Sequence, residues 1–298
     1  MIKNIRKDLP LHLMMLPAVL ILFIYAYVPM LGLVIAFQHY MPALGFFKSS
    51  FVGLQNFKFL FFTPGFGQSI FNTVYIAVMK IVMEQVIPII FALLLNEIGR
   101  SWYKRTLQTI VYLPHFISWV LMAGIIIDIF SPSTGIVNGV LGWFGIKPIF
   151  FLGSNGWFPN IMVMTDVWKE FGWGTILYLA AVTGINPALY EAAVIDGAGR
   201  WKQTLHITLP GILTTVVLLA ALSLGNILNG GFDQIYNLMS PITMQSGDII
   251  DTFVYRLGIQ NAQFSIATAA GLFKSVISCF LIVISYKLAY RFAGYKVF

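Results

Sequence analysis

The sequence predicts an all-α membrane protein that crosses the bilayer six times, and three observations carry that reading. Apolar residues make up 58% of the 298 positions and Asp, Glu, Lys and Arg only 10%, against about 45–50% and about 25% in soluble domains. The apolar residues come in long continuous runs rather than short alternating strands, which excludes a membrane β-barrel. Lys and Arg gather on alternate connections between those runs, the bias that orients polytopic chains. So few charges exclude a water-facing globule, and 15% aromatic content excludes a disordered chain. The single cysteine, Cys279, leaves no internal disulfide framework and no multi-thiolate zinc site.

Residues 1–12, with Lys3, Arg6 and Lys7, read as a short cytoplasmic segment. Leu13 to Phe37 carries no charge and exceeds the about 20 residues that cross a hydrocarbon core as a helix. It is too long for a signal peptide and no small-residue cleavage site follows it, so it is read as a retained span. Further spans are expected near Ser69 to Leu95, Ile110 to Phe130, Asn160 to Thr183, Gly211 to Gly230 and Phe264 to Tyr290.

Alternating sides places eleven Lys and Arg on one face, including Arg100, Lys104, Arg105, Arg200 and Lys202; Lys48, Lys58, Lys147 and Arg256 lie on the other. Both termini are therefore expected in the cytoplasm. The net charge of +7 follows largely from this asymmetry and does not call for nucleic acid. The external segments, about 38–68, 131–159 and 231–263, hold Gly, Pro, Asn and Ser clusters and are expected as loops or short surface helices. Residues 13–298 thus read as one transmembrane domain with a distinctive cytoplasmic loop at about 184–210.

That loop has a local physical logic. Asn186 suits a helix N-cap and Pro187 the first helical position, where its missing N–H costs nothing. Glu191 and Asp196 follow on the helix, and Gly197 can adopt the left-handed conformation that ends it. Ala192, Ala193 and Ala198 leave a low-relief surface that another backbone could approach closely. Trp201 and Leu205, four apart, are expected to pack a second short helix back on the membrane part, with Pro210 opening the fifth span.

Glu191-Ala192-Ala193, three residues, Gly197, nine residues, Ile207, one residue and Leu209-Pro210 resemble the EAA loop of permease subunits in bacterial ATP-binding-cassette importers. The likeness continues through Tyr27-Val28-Pro29-Met30, Tyr112-Leu113-Pro114-His115-Phe116, Trp168-Lys169-Glu170 and Gly271-Leu272-Phe273-Lys274-Ser275. These segments are similar to the carbohydrate-uptake branch, particularly permeases for pectin, alginate and other complex oligosaccharides. The resemblance implies a type I importer permease fold in which Glu191, Ala192, Ala193, Asp196, Gly197 and Ala198 dock in a groove of a cytosolic ATPase. It further implies two copies of that ATPase, a second, non-identical permease subunit and an extracytoplasmic solute-binding protein.

No Gly-x-x-x-x-Gly-Lys-Ser/Thr phosphate loop occurs. ATP and magnesium are accordingly expected on the partner ATPase, with no cofactor bound by this chain. His12, His39, His115 and His206 are scattered without metal-ligand spacing, and no nucleophile elbow is present, so no metal site and no enzymatic activity are expected.

Six charges fall inside the spans away from their ends: Lys80, Glu84, Asp166, Lys169, Glu170 and Lys274. Each would cost about 2.5–3.5 kcal/mol near the bilayer centre if left alone, so pairing or a water-filled cavity is expected. Lys80 and Glu84, four apart, can pair along one helix. Two readings stay open. The charges either hold helices together, or leave Lys169 or Lys274 facing a pathway for an anionic sugar. Trp168 and Trp173, with Asn226 and Asn229, offer the ring faces and amides that sugars use, although interfacial tryptophans also anchor spans. The alternative from another class is an ion-gradient transporter or channel using the intramembrane carboxylates.

Overall fold

The computed structural model describes residues 2–225 and 227–293. Four helices are long and apolar enough to cross a membrane: Leu9–Phe37, Phe66–Asn96, Arg200–Gly225 and Phe264–Lys287. Two bent pairs, Ser101–Phe116 with Trp119–Ile129 and Phe158–Thr183 with Pro187–Ile195, pass the same test together and bring the candidate spans among the described residues to six when each pair is counted as one. The chain divides into two compact units, one of Met1–Pro64 and Val254–Phe273, the other of Gly65–Phe253 and Lys274–Phe298.

In the first unit the opening span changes pitch along its length. An α-helix, Ile2–Leu22, passes into a π turn at Phe23–Tyr27 and then a 3-10 helix at Val28–Phe37, where Pro29 occupies the first turn. Short strands follow, with Gln38 opposite Phe51 and His39 opposite Ser50. Buried Asn56, on the helix Gln55–Phe62, closes this corner by donating to the Ala36 and Gln38 carbonyls, each at 2.9 Å.

In the second unit the helices Phe66–Asn96 and Phe158–Thr183 pack most extensively against each other. Close approach to Phe158–Thr183 depends on its small residues: a Cβ on Gly174 would lie 3.2 Å from the ring of Pro88 on Phe66–Asn96, and one on Gly172 would strike the carbonyl group of Val111 on the helix Ser101–Tyr112. A core of Ile76, Met122, Ile126, Phe130, Phe158, Met162, Ile235 and Ile249 lies beside this pair. Met79 and Met83 pack on its edge as apolar fillers.

Four features differ from the expectations. The third span is not one helix over 110–130. It breaks into Ser101–Tyr112, a 3-10 turn at Leu113–Phe116 and Trp119–Ile129, bent by 108°. Pro114 removes a backbone donor, Ile117 is extended, and Ser118 caps the second piece by accepting from Leu121. The fifth span does not start at Pro210. The helix runs unbroken from Arg200 to Gly225 because a π turn at Thr204–Thr208 takes up an extra residue just ahead of the proline.

Third, the segment after the fifth span is not a surface loop throughout. Its helices Phe232–Leu238 and Ile250–Tyr255 sink Gln234, Ile235, Ile250, Thr252 and Phe253 into the interior. Fourth, Trp201 does not pack back: it is 74% exposed, and Leu205 is also exposed. The helix Ile136–Trp143 is short. Its buried Asn138 donates to the Ser131 and Ile149 carbonyls at 3.1 and 3.0 Å and accepts from the Ile149 N–H at 2.8 Å.

Candidate functional sites at an exposed helix and within the spans

The helix Pro187–Ile195 starts and stops where local chemistry dictates. Asn186 Oδ1 accepts from the Ala188 N–H at 3.0 Å, and Pro187 takes the first turn. At the other end Gly197 sits at φ +73°, the Ala198 N–H reaches the Ala193 carbonyl at 2.8 Å, and the Gly197 N–H reaches that of Val194 at 3.0 Å. This is the paired closure of a helix ending in a left-handed glycine.

The helix turns 66° away from Phe158–Thr183, and none of its residues is buried. Glu191, Ala192, Asp196 and Gly197 are exposed, whereas Ala193 and Ala198 are half-buried. Leu189 and Val194 also stand in the open, and Ile195 is 86% exposed. Apolar side chains gathered in the open on one short helix mark a surface that another body covers. Arg200 ties the loop to the end of the second span through Glu97 at 2.9 Å, an exposed pair that adds little energy.

At membrane depth every lysine has partners. Lys80 Nζ donates to Gln234 Oε1 at 2.6 Å and to the Gly230 carbonyl at 3.1 Å, with Asp166 Oδ1 at 3.4 Å. The expected Lys80–Glu84 pair gives way to these longer-range partners; Glu84, one turn on, lines the same cavity of about 240 Å³ with Asp166, Ser223 and Asn229. Gln234 completes the network by donating to the Met162 carbonyl at 2.7 Å and Thr165 Oγ1 at 2.8 Å. Gly231, at φ +89°, makes room: a Cβ there would sit 2.8 Å from Lys80 Nζ.

Lys274 Nζ donates to Asp251 Oδ1 at 2.5 Å and Asn229 Oδ1 at 3.1 Å. Lys274 thus bridges both ends of the partly buried segment 229–251, and Lys80 holds its beginning. Asn72 grips the same segment through the Gln245 and Asp248 carbonyls, both at 3.0 Å, and Thr73 Oγ1 accepts from the Ile250 N–H at 2.9 Å.

A third cluster secures the broken span. Buried Lys169 donates to the His115 carbonyl at 2.8 Å and Glu170 Oε1 at 2.9 Å, while Glu170 Oε2 meets His115 Nδ1 at 2.6 Å. The His115 ring stacks on Trp173, 4.7 Å between centroids and 6° from parallel. The helix break frees carbonyls that lipid cannot satisfy, and an ammonium from the fourth span serves one of them. Trp168 lies apart, on an apolar groove of about 500 Å³ with Met79, Met83, Met164 and Phe171. Asn229 is therefore joined to Lys274, Trp173 to Lys169 through His115 and Glu170, and Trp168 to neither; Asn226 lies outside the described residues. Among the described residues no group of three or more His, Cys, Asp or Glu side chains could hold a metal ion.

The sequence reading gave no site role to Asp251, Gln234, Asn72 or His115, although His115 and Asp251 lie in segments that carry the family resemblance. Asp251 and Gln234 fall in a segment taken for surface, where a polar residue raises no question. The Leu113-Pro114-His115 run, with Ser118 after it, was the available signal for a broken helix.

Residues 85–293 match the family described as the binding-protein-dependent transport system inner membrane component. Protein LplB of Bacillus subtilis is 41% identical over 288 residues, 97% of this chain and 91% of that protein. The polygalacturonan/rhamnogalacturonan transport system permease protein YteP of the same organism is 40% identical over 95% of this chain and 88% of its own length. Among solved structures, a chain of a bacterial ABC transporter involved in the import of the acidic polysaccharide alginate superposes with a TM-score of 0.90 at 40% identity, covering 97% of this chain and 98% of that one. The same score and identity hold for a chain of the alginate transporter in complex with an alginate pentasaccharide-bound periplasmic protein, over 99% of each chain. The chain belongs to the family of binding-protein-dependent transport system inner membrane components and is a multi-pass permease of the carbohydrate ABC importer type, a transport component rather than an enzyme.

Proposed function

We propose that this permease carries acidic oligosaccharides into a bacterial cell across the cytoplasmic membrane, with both termini inside. ATP and magnesium are used on two copies of a cytosolic ATPase. A second, non-identical permease completes the pathway, and an extracytoplasmic solute-binding protein delivers the sugar. The observation that carries this reading is the exposed helix Pro187–Ile195, capped at both ends and bearing Leu189, Val194 and Ile195 in the open. Glu191, Ala192, Ala193, Asp196, Gly197 and Ala198 form the face that docks on the ATPase, whose closure swings the spans between inward-open and outward-open arrangements.

The substrate class rests on relatives that handle polygalacturonan and alginate, both polyuronates. Within this chain, Trp168, Lys169, Trp173, Asn226, Asn229 and Lys274 are assigned to the pathway. Lys169 and Lys274 act from inside ion pairs, so each pairs first with its carboxylate and meets a uronate as part of a polar cluster. Reconstituted with its partners, the complex should take up a uronate oligosaccharide in an ATP-dependent way that an ionophore does not abolish. Uptake that survives ATP depletion but collapses with the ionophore would reinstate a gradient-driven carrier. Lys274→Ala should impair uptake of an acidic oligosaccharide more than that of a neutral one; equal loss for both would limit Lys274 to holding Asp251.

A further inference from the structure

The docking helix has few ties to the spans it must move. Among the described hydrogen bonds, the one from its side chains to the fifth span joins the Tyr190 hydroxyl to Thr208 Oγ1 at 2.9 Å. Tyr190 is half-buried and Thr208 is buried. Thr208 closes the π turn Thr204–Thr208, where the Leu209 N–H reaches back to the Thr204 carbonyl. π turns are rare and occur as single-turn interruptions of α-helices, frequently at functional sites. Just beyond it, Ile185 lies against Gly211, 2.7 Å from where a Cβ would stand, so the loop and the fifth span are closely apposed here. The Arg200–Glu97 pair runs instead to the second span and is exposed on both sides, so solvent screens it.

We infer that Tyr190 and Thr208 are positioning residues that pass movement of the helix Pro187–Ile195 into the fifth span, with the π turn as the point that yields. This rests on the docking role proposed for that helix. Pulling on the helix draws Thr208 with it through the hydroxyl pair. The turn can interchange between i→i+5 and i→i+4 bonding without breaking the rest of the Arg200–Gly225 helix. Loss of the pair leaves the docking face intact and uncouples it from the span.

The test uses the assembled transporter in proteoliposomes with its binding protein and a uronate oligosaccharide, comparing Tyr190→Phe, Thr208→Val, the double variant and Thr208→Ser. Each of the first two should lower sugar transported per ATP hydrolysed by about fivefold, the factor that goes with one ordinary hydrogen bond. ATPase copurification and basal hydrolysis should stay at wild-type levels. The double variant should be no worse than Thr208→Val, because Thr208→Val already removes the contact with Tyr190 along with its own bond to the Gln203 carbonyl at 3.5 Å, and Thr208→Ser should retain full coupling. An unchanged ratio in the singles, or losses that multiply in the double, overturns the assignment. Glu191→Ala separates the two possible failures. Undiminished ATPase binding in that variant removes the docking role and the joint with it. Lost binding there, with normal transport per ATP in the Tyr190 and Thr208 variants, overturns the joint alone.

Discussion

Gly197 offers a test in which backbone conformation can be varied with almost no change in packing. It sits at φ +73°, and a Cβ built on it meets nothing within 4 Å. Side-chain bulk is therefore irrelevant, and the cost of a substitution is that of holding an L-residue in the left-handed region. That cost is about 1–3 kcal/mol for a poorly suited residue and falls for Asn, whose short amide tolerates the conformation. At 1.4 kcal/mol per tenfold, Gly197→Val should reduce the population of the properly closed helix end by about 5- to 150-fold. ATPase affinity, titrated in detergent, should follow the order Gly, Asn, Ala, Val from strongest to weakest, with equal amounts of protein in the membrane. Gly199 supplies the control. It is equally open but has φ −68°, so Gly199→Ala carries no such strain. An order that tracks side-chain size, with Asn as damaging as Val, would refute the argument, as would equal binding across the series.

Two further substitutions probe the membrane part. Gly172→Ala should destabilise the protein by about 1–3 kcal/mol through overpacking, since its Cβ would press on the Val111 carbonyl carbon at 2.7 Å, whereas Gly124→Ala, with nothing within 4 Å, should be neutral or stabilising. Thermal denaturation in detergent, followed by loss of monodisperse protein, reads the difference; equal midpoints would count against the close helix approach. Lys80→Met should cost about 3–5 kcal/mol because Asp166 and Gln234 lose a buried partner, and adding Asp166→Leu should recover part of that loss. A double variant as unstable as the single would show that Lys80 mainly serves the Gly230 and Gln234 oxygens.

The reach of sequence reasoning followed the range of the interactions involved. The first, second, fourth and sixth spans were legible because hydrocarbon thickness demands a run of apolar residues, and such a run is contiguous. The helix Pro187–Ile195 was legible to within a residue for the same reason: Asn186, Pro187 and Gly197 act on backbone groups two to five positions away. The ion pairs were not. Lys80 finds Gln234 across 154 residues and the Gly230 carbonyl across 150, and nothing near Lys80 in the chain announces either. Pairing it with Glu84 followed the local rule of helix spacing, which the tertiary contacts outweighed.

The same division explains the bent third span and the buried segment 229–251. Pro114 and Ser118 permit a break, but a break at membrane depth survives because Lys169, on another helix, serves the freed His115 carbonyl. A Gly- and Asn-containing stretch after the fifth span looks like any external loop until Asn72, Thr73, Lys80 and Lys274 converge on it. The amino-acid order alone determined which segments are apolar and long enough to enter lipid and where the helix Pro187–Ile195 begins and ends, because those depend on water, hydrocarbon and the nearest few peptide groups. Which charge neutralises which, and which polar backbone is allowed inside, was decided by the packed helices, since a buried polar group needs a partner and only the assembled core specifies where that partner stands.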